Sequence, residues 1–165
     1  MLISSYNQKA LGDVMIIYVA PDVKEQSVVT KCDFTRIFDP ETDTTLGYNV
    51  AHVSDILGPI NQNGQVFLTE EQVSTLNQAL SDTGFEPELK ADLTPKFIVG
   101  YVESAEPHPD SNHLLVTKTR VQDGKTLQIV SGSPNMQADI KVVVAEVGAM
   151  MPDGLIIWPG KLRGV

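Results

Sequence analysis

Cysteine is almost absent from this chain of 165 residues, in which Cys32 is the single one. One cysteine excludes an internal disulfide and a zinc site built from cysteines. Because Cys32 lies in a run of strand-forming residues, we predict a small core or strand residue there and not a nucleophile.

Long hydrophobic runs are also lacking. The longest apolar runs, such as residues 14–20, have the length of a strand, so no segment is predicted to span a membrane. No basic region precedes an apolar one at the N-terminus, which argues against a signal peptide. From these features we expect a soluble, cytoplasmic protein.

Motifs for catalysis and phosphate binding are lacking as well. There is no Gly-x-Ser-x-Gly elbow, no P-loop and no Gly-x-Gly-x-x-Gly. His108 and His113 are five residues apart, a spacing that matches neither a helical nor a strand pair of metal ligands. We therefore predict a protein that is not an enzyme and has no catalytic residue, metal site or cofactor. His108 is expected to pack against the rim of its domain, and His52 to be structural.

The charge is divided unevenly along the chain. The formal net charge is −9, and residues 1–92 contain five Lys and Arg against 14 Asp and Glu. Residues 93–165 contain seven of each sign, so the excess acid lies in the first half. A neutral second half can still carry a basic patch, because charges more than about 10 Å apart are screened at about 0.1 M salt. Any affinity for RNA is expected to depend strongly on salt.

Residues 1–90 are predicted to form a small acidic α+β domain. Residues 13–20, 27–38 and 45–53 each have the composition of a strand, and the last two are joined by a turn over residues 39–43.

A helix is predicted to begin after Thr69, with Gln72 at the capping-box position. Its apolar residues Val73, Leu76 and Leu80 would form one stripe against the sheet, with Gly84 as a stop. Residues 84–96 contain two prolines and few apolar residues, and are predicted to be a linker.

Residues 95–165 are predicted to form an all-β domain. Five short strands are expected at residues 97–104, 114–121, 126–130, 140–146 and 155–158. Asp123-Gly124 predicts a hairpin between the second and third of them. Five short strands in so few residues favour a small five-stranded barrel.

A polar turn follows the third of these strands. Ser131, Ser133 and Asn135 offer short hydrogen-bonding groups, and Gly132 has no side chain to block a second backbone. A rim that admits another backbone is one interpretation, and an ordinary turn explains the segment alone about as well.

Several cations and aromatic residues of the second half suggest a binding surface. Lys118 and Arg120 are two apart on one strand and therefore share a face, and Lys161 and Arg163 have the same spacing. Tyr101 and Trp158 could stack on a base. Each of these residues also has an ordinary explanation, because cations are common on barrel exteriors and Trp158 could fill the core. The candidate RNA-binding residues are Lys118, Arg120, Ser131, Asn135, Lys141, Trp158, Lys161 and Arg163.

Motifs spread over residues 97–165 resemble a known domain. They are Val99-Gly100-Tyr101-Val102, His108-Pro109-Asp110, Ile129-Val130-Ser131-Gly132 with Asn135, Gly148-Ala149-Met150-Met151-Pro152-Asp153-Gly154 and Lys161-Leu162-Arg163-Gly164-Val165. In order and spacing they resemble the OB-fold tRNA-binding domain. That domain occurs in free-standing bacterial tRNA-binding proteins, at the end of many methionyl-tRNA synthetases and in the phenylalanyl-tRNA synthetase β subunit. The first half resembles, through Tyr6-Asn7 and residues 10–14, a small extra domain of one group of the free-standing proteins.

The resemblance implies a non-catalytic module that binds tRNA through shape and backbone. It places Ser131 and Asn135 at the rim and Lys161 and Arg163 in a basic segment entering the last strand. His113 stands where the family often has Lys. The family continues past Arg-Gly-Val with a Ser-x-Gly-Met segment, so we expect the domain at 95–165 to lack its C-terminal tail.

Two functions from different classes remain open at this point. The first is tRNA binding by electrostatic capture of the phosphate backbone. The alternative is a protein–protein adaptor that docks on a translation component such as an aminoacyl-tRNA synthetase through the acidic first half. The expected partners are accordingly tRNA, a synthetase and a second copy of the chain; an enzyme with its site between the domains is a third, weaker interpretation.

Overall fold

The computed structural model divides the chain into two units, each with its own antiparallel sheet. The first domain comprises Met1–Thr94 with Met150–Leu155, and the second comprises Pro95–Ala149 with Ile156–Val165. The structure describes residues 1–161 and 163–164, apart from the side chain of Asp123. The predicted fold class is confirmed, since the first domain combines helices with a sheet and the second is an all-β domain with a curled antiparallel sheet. This second sheet has four strands among the described residues, where a five-stranded barrel was predicted.

Six strands of the first domain form one sheet, with three helices between them. The strands are β1 (Ile3–Tyr6), β2 (Val14–Tyr18), β3 (Ser27–Lys31), β4 (Phe34–Phe38), β5 (Thr45–Ala51) and β6 (Gly64–Val66). The helices are α1 (Gln8–Leu11), α2 (Val53–Leu57) and α3 (Glu70–Asp82). The strand order is β3-β4-β5-β2-β1-β6, and every neighbouring pair is antiparallel.

The predicted single strand at residues 27–38 is two strands joined by a two-residue turn. Lys31 pairs with Phe34, and Cys32 occupies the turn with φ +50° and an exposed side chain. The prediction of Cys32 as a core or strand residue is therefore wrong. The turn escapes sequence analysis because it has neither glycine nor asparagine, the residues that usually mark such a conformation.

Helix α3 begins and packs as its sequence predicts. The side chain of Thr69 accepts a hydrogen bond from the amide of Gln72, and the Gln72 side chain accepts one from the amide of Thr69. Val73, Leu76 and Leu80 are buried in the core. They share that core with the sheet residues Met15, Ile17, Phe34, Tyr48 and Val50. Phe85 and Leu89, from the segment predicted as a linker, are buried in it too.

The N-terminus of α2 is capped by Asp13, which directly precedes β2 and is distant from the helix in sequence. The predicted strand at 45–53 ends at Ala51, and His52 adopts a left-handed conformation without a side-chain cap bond. The carboxylate of Asp13 instead accepts hydrogen bonds from the amide and hydroxyl of Ser54 and from the Tyr6 hydroxyl. The hydrogen bond from the Ser54 hydroxyl is the largest cause that lowers the pKa of Asp13.

Four strands form the sheet of the second domain: β7 (Phe97–Pro107), β8 (Leu115–Arg120), β9 (Thr126–Ser131) and β10 (Lys141–Ala145). Their order is β10-β7-β8-β9, all antiparallel. The predicted hairpin at Asp123-Gly124 is confirmed, with a short 3-10 helix over Gln122–Gly124 joining β8 to β9.

The fifth predicted strand, at residues 155–158, is not part of this sheet. Within the described part of the chain, Ile157 instead exchanges backbone hydrogen bonds with Gly148 and Ala149. Pro159 follows Trp158 directly and has no amide hydrogen for a ladder, which limits extension of a strand there. None of the described helices has the length and apolar character that crossing a membrane requires.

Candidate nucleic-acid interface

Strand β8 directs its cations and its hydroxyl side chains to opposite faces. Thr117 and Thr119 are buried, and Lys118 and Arg120 are exposed. This is the alternation that the two-residue spacing predicts. We call the face with Lys118 and Arg120 the outer face of the second sheet.

A row of three side chains crosses the outer face on neighbouring strands. Lys141 of β10 lies opposite Tyr101 of β7, and Tyr101 lies opposite Arg120 of β8. Directly opposed residues of antiparallel strands place their side chains on the same face. The Arg120 guanidinium lies over the Tyr101 ring, 5.4 Å from its centroid. The row therefore alternates cation, aromatic ring and cation.

Acidic neighbours hold two members of this row. The Tyr101 hydroxyl donates a 2.8 Å hydrogen bond to Asp139, and this bond is the largest cause that raises the pKa of Tyr101. Arg120 Nε donates to Glu103 Oε1 at 2.9 Å. Lys118 and Lys141 are exposed and form no ion pair with any residue that the structure describes. These two lysines are the unneutralised cations of the outer face.

Apolar side chains continue the outer face beyond the row. Val99 and Val143 are paired across β7 and β10 and are 59% and 74% exposed, and Phe97 is 43% exposed. These three residues form an apolar patch that is absent from the site predicted from the sequence. The signal was present, because these residues alternate with the half-buried Ile98 and the buried Gly100 and Val144.

The loop after β7 folds back on itself at the domain rim. His108 is buried, donates its backbone amide to the Leu114 carbonyl and accepts a hydrogen bond from the Asp110 amide at Nδ1. This agrees with the predicted packing of His108 against the rim. A Cβ at Gly132 would lie 3.2 Å from Leu114 Cδ2, so the missing side chain at Gly132 lets this loop approach the turn after β9.

The polar turn after β9 bonds internally. Ser131 Oγ accepts a hydrogen bond from the Ser133 amide at 3.2 Å, and the Ser133 hydroxyl donates to Asn135 Oδ1 at 2.5 Å. Ser133 and Asn135 are exposed, and Ser131 is half-buried. The turn therefore presents a preformed polar edge next to the loop at residues 108–114.

Lys161 and Arg163 lie in different surroundings despite their spacing. Arg163 Nη1 donates a 2.9 Å hydrogen bond to the Asp110 carbonyl, which joins it to the rim. Lys161 instead lines a groove of about 660 Å³ together with residues of β9 and β10. Trp158 is half-buried, and Leu162 and Val165 lie outside the described residues.

The structure thus places six of the eight predicted site residues in two groups, and leaves Lys161, which lines the groove, and the half-buried Trp158 outside both. Lys118, Arg120 and Lys141 share the outer face with Tyr101. Ser131, Asn135 and Arg163 belong to the rim, which is built from the turn after β9, the loop at 108–114 and the chain near residue 163. In the described part of the chain, no three His, Cys, Asp or Glu side chains are placed to share a metal ion.

Comparison with family models divides the chain at the same place as its composition. Residues 97–165 match the model described as "Putative tRNA binding domain". Residues 21–92 match a model described as a domain of unknown function. Both matches agree with the resemblance carried by the sequence motifs.

Similar proteins extend this result, one along nearly the whole chain and two along part of it. The chain is 45% identical over 161 residues to the "Putative tRNA-binding protein YtpR" of Bacillus subtilis. This alignment covers 97% of the present chain and 79% of the relative. It is also 38% identical over 97 residues to the phenylalanine–tRNA ligase beta subunit of Staphylococcus saprophyticus, covering 57% of this chain and 12% of that subunit. The same subunit of Staphylococcus aureus strain USA300 is 38% identical over 98 residues, again covering 12% of its length. With 45% identity along nearly its whole length, the chain belongs to the family of the Bacillus subtilis protein, in which a domain of unknown function precedes a tRNA-binding domain.

Proposed function

We propose that the second domain binds tRNA without chemistry, through the outer face and the rim. The observation that carries the proposal is the row Lys141–Tyr101–Arg120 on three neighbouring strands, with Lys118 beside it. The name of the Bacillus subtilis relative and the family model at 97–165 support tRNA as the ligand.

In this proposal the lysines of the outer face capture phosphates. Lys118 and Lys141 are exposed and have no ion-pair partner among the described residues, so contact with phosphates would release counterions from the RNA. Tyr101 offers a ring on which a base or ribose could pack, and Arg120 holds that ring from one side. Arg120 contributes less charge than the lysines because Glu103 already accepts its Nε hydrogen.

The rim would add short polar contacts to the backbone. Asn135 is exposed, and Ser131 and Ser133 hold the turn in a fixed shape before any ligand arrives. Preordered hydrogen-bonding groups contact phosphates and sugars without reading sequence. The proposal therefore predicts binding of many tRNAs with similar affinity.

The test measures binding of a mixed tRNA pool by fluorescence anisotropy over a salt series between about 50 and 200 mM. The variants are Lys118→Ala with Lys141→Ala on the outer face, and Lys161→Ala with Arg163→Ala, which removes the lysine of the groove and the arginine of the rim. Lys9→Ala with Lys90→Ala in the first domain is the matched control, because it removes the same charge from exposed positions.

Each second-domain double variant should weaken binding and flatten the salt dependence. The slope of log K against log salt should fall by about 1.4 to 1.8 when two phosphate contacts are lost. The control pair should leave the slope unchanged. Equal losses in all three double variants would mean a general charge effect and would overturn the proposed site.

The adaptor function has one structural observation in its favour. The apolar patch of Phe97, Val99 and Val143 is exposed on the same face as the cations. Exposed apolar patches of this kind are typical of protein interaction sites. A Val99→Ser, Val143→Ser variant separates the functions, since tRNA affinity should survive it while binding to an aminoacyl-tRNA synthetase through this patch would be lost.

A further inference from the structure

Strand β3 is an open edge of the first sheet. Among the described residues it pairs only with β4, and four of its five residues are exposed, with Val28 65% exposed. Edge strands are usually protected by proline, a bulge, a very short length or a central lysine. Strand β3 has no proline, keeps an uninterrupted register with β4, and has its one charge, Lys31, at the end next to the turn. The opposite edge, β6, has only three residues.

The turn fixes which backbone groups of β3 point outward. Lys31 and Phe34 flank a two-residue turn, so they form a hydrogen-bonded pair. Such pairs alternate along an antiparallel ladder, which directs the amides and carbonyls of Ser27, Val29 and Lys31 toward β4. The amides and carbonyls of Val28 and Thr30 consequently point away from the sheet. They are free to pair with another strand.

We propose that two copies of this chain associate through β3, antiparallel, around a two-fold axis at Val28. In this register the two Val28 residues exchange both backbone hydrogen bonds, and Thr30 pairs with Gln26 of the second copy. A two-fold axis at Val29 is excluded because its backbone groups already bond to β4. The two Val28 side chains lie on the same face and bury each other, next to Ile37 of each copy.

The edge is self-complementary in charge, which favours a second copy as the occupant. The same register brings Lys31 opposite Glu25 of the second copy, and the two-fold axis repeats this pair. The Lys31 ammonium donates a 2.6 Å hydrogen bond to the Gly84 carbonyl of its own copy, so the pair contributes charge balance and not a direct ion pair. Residues 22–33 contain two lysines and three acidic residues, although residues 1–92 contain nine more acidic than basic residues. The β3 edge is therefore a nearly balanced part of a strongly acidic domain. Two copies meet there with little repulsion.

Dimerisation would place two second domains in one particle. If each binds tRNA as proposed above, the dimer is bivalent, and binding of the second site becomes intramolecular. The dimer itself is independent of that proposal, because its surface and its tests involve no RNA.

Disulfide trapping tests the register in the full chain. In a Cys32→Ser background, Val28→Cys should form a covalent dimer on mild oxidation, since opposed hydrogen-bonded residues have Cα atoms about 5.5 Å apart. The matched variant Thr30→Cys in the same background should remain monomeric on non-reducing gels. In the proposed register, position 30 of one copy lies opposite Gln26 of the other, so the two cysteines at position 30 would be four residues, or about 13 Å, apart along the strand. Equal trapping of both cysteines, or of neither, would overturn the register.

Sedimentation equilibrium tests the association without a crosslink. The wild-type chain should show a concentration-dependent dimer, and Val28→Lys should sediment as a monomer because two ammonium groups would meet at the axis. Val143→Lys is the control, as it also adds a lysine at an exposed valine of an edge strand. It should dimerise like the wild type. A wild-type monomer at all concentrations, or equal loss in both lysine variants, contradicts the proposal.

Discussion

The two domains build antiparallel sheets on different supports. In the first, α3 and the segment with Phe85 and Leu89 contribute to one large apolar core. In the second, no α-helix occurs among the described residues, and the fully buried side chains include Thr117 and Thr119, which share a hydrogen bond. The first domain also carries the excess acid. The first domain is thus stabilised mainly by burial of apolar side chains between its sheet and α3. The second domain instead exposes, on the outer face of its sheet, the cation row and the apolar patch.

The largest stability effect is expected from a cavity in the first core. Leu76 is fully buried on α3, and Leu76→Ala should lower the free energy of unfolding by about 2–5 kcal/mol. Urea unfolding followed by far-ultraviolet circular dichroism reports on this domain, because the described α-helices all belong to it. Trp158, the single tryptophan, lies in the second domain and reports on that domain by fluorescence. A loss confined to the fluorescence signal would contradict the comparison.

A smaller loss is expected from overfilling the second domain. A Cβ at Gly100 would lie 2.6 Å from Thr119 Cγ2 and 2.8 Å from Val144 Cγ2, both on buried β-branched side chains. Gly100→Ala should therefore lower stability by about 1–3 kcal/mol, as overpacking usually does. The Trp158 fluorescence transition should shift to lower urea. Gly160→Ala is the control, since a Cβ there meets nothing within 4 Å.

Acid should weaken the first domain through Asp13. Its hydrogen bonds from Ser54 and Tyr6 lower its pKa below 3.8, so the stabilisation is present above that value. It is lost as the pH falls through the folded-state pKa. Asp13→Asn should unfold at a lower urea concentration than the wild type near neutral pH. The difference between the two urea midpoints should become smaller in acid. The exposed Asp22→Asn serves as control; a difference that stays constant with pH would contradict this role for Asp13.

The smallest effect is expected at His52, in the opposite pH direction. The ion pair of its Nδ1 with Asp33 Oδ1, at 2.8 Å, raises the pKa of His52 above 6.5. The stabilisation is therefore complete below 6.5 and is lost as the pH rises through the folded-state pKa. His52→Asn should remove a slight decline in first-domain stability at mildly alkaline pH. Urea unfolding followed by circular dichroism measures this decline. If the decline is the same in His52→Asn as in the wild type, other groups cause it.

Local patterns predicted the elements that depend on near neighbours. The capping box of Thr69 and Gln72, the stripe of Val73, Leu76 and Leu80, and the Asp123-Gly124 hairpin are all found. The turn at Cys32 was missed, because β-branched residues on both sides continue the strand pattern through it. The segment at residues 84–96 was predicted as a linker although Phe85 and Leu89 belong to the core, because isolated apolar residues on either side of Pro87 show no helical or strand period.

The amino-acid sequence was enough to predict the capping box of α3, the alternating faces of β8, the division of charge between the halves and the family. Each of these depends on residue type and short spacing alone. Three features follow from the folded chain alone: Lys141, Tyr101 and Arg120 form one row, Asp13 caps a helix 41 residues away, and Lys161 and Arg163 face different surroundings. These outcomes depend on strand order and register. Order and register are set by which faces bury against each other across the whole chain, a long-range property that no local pattern contains.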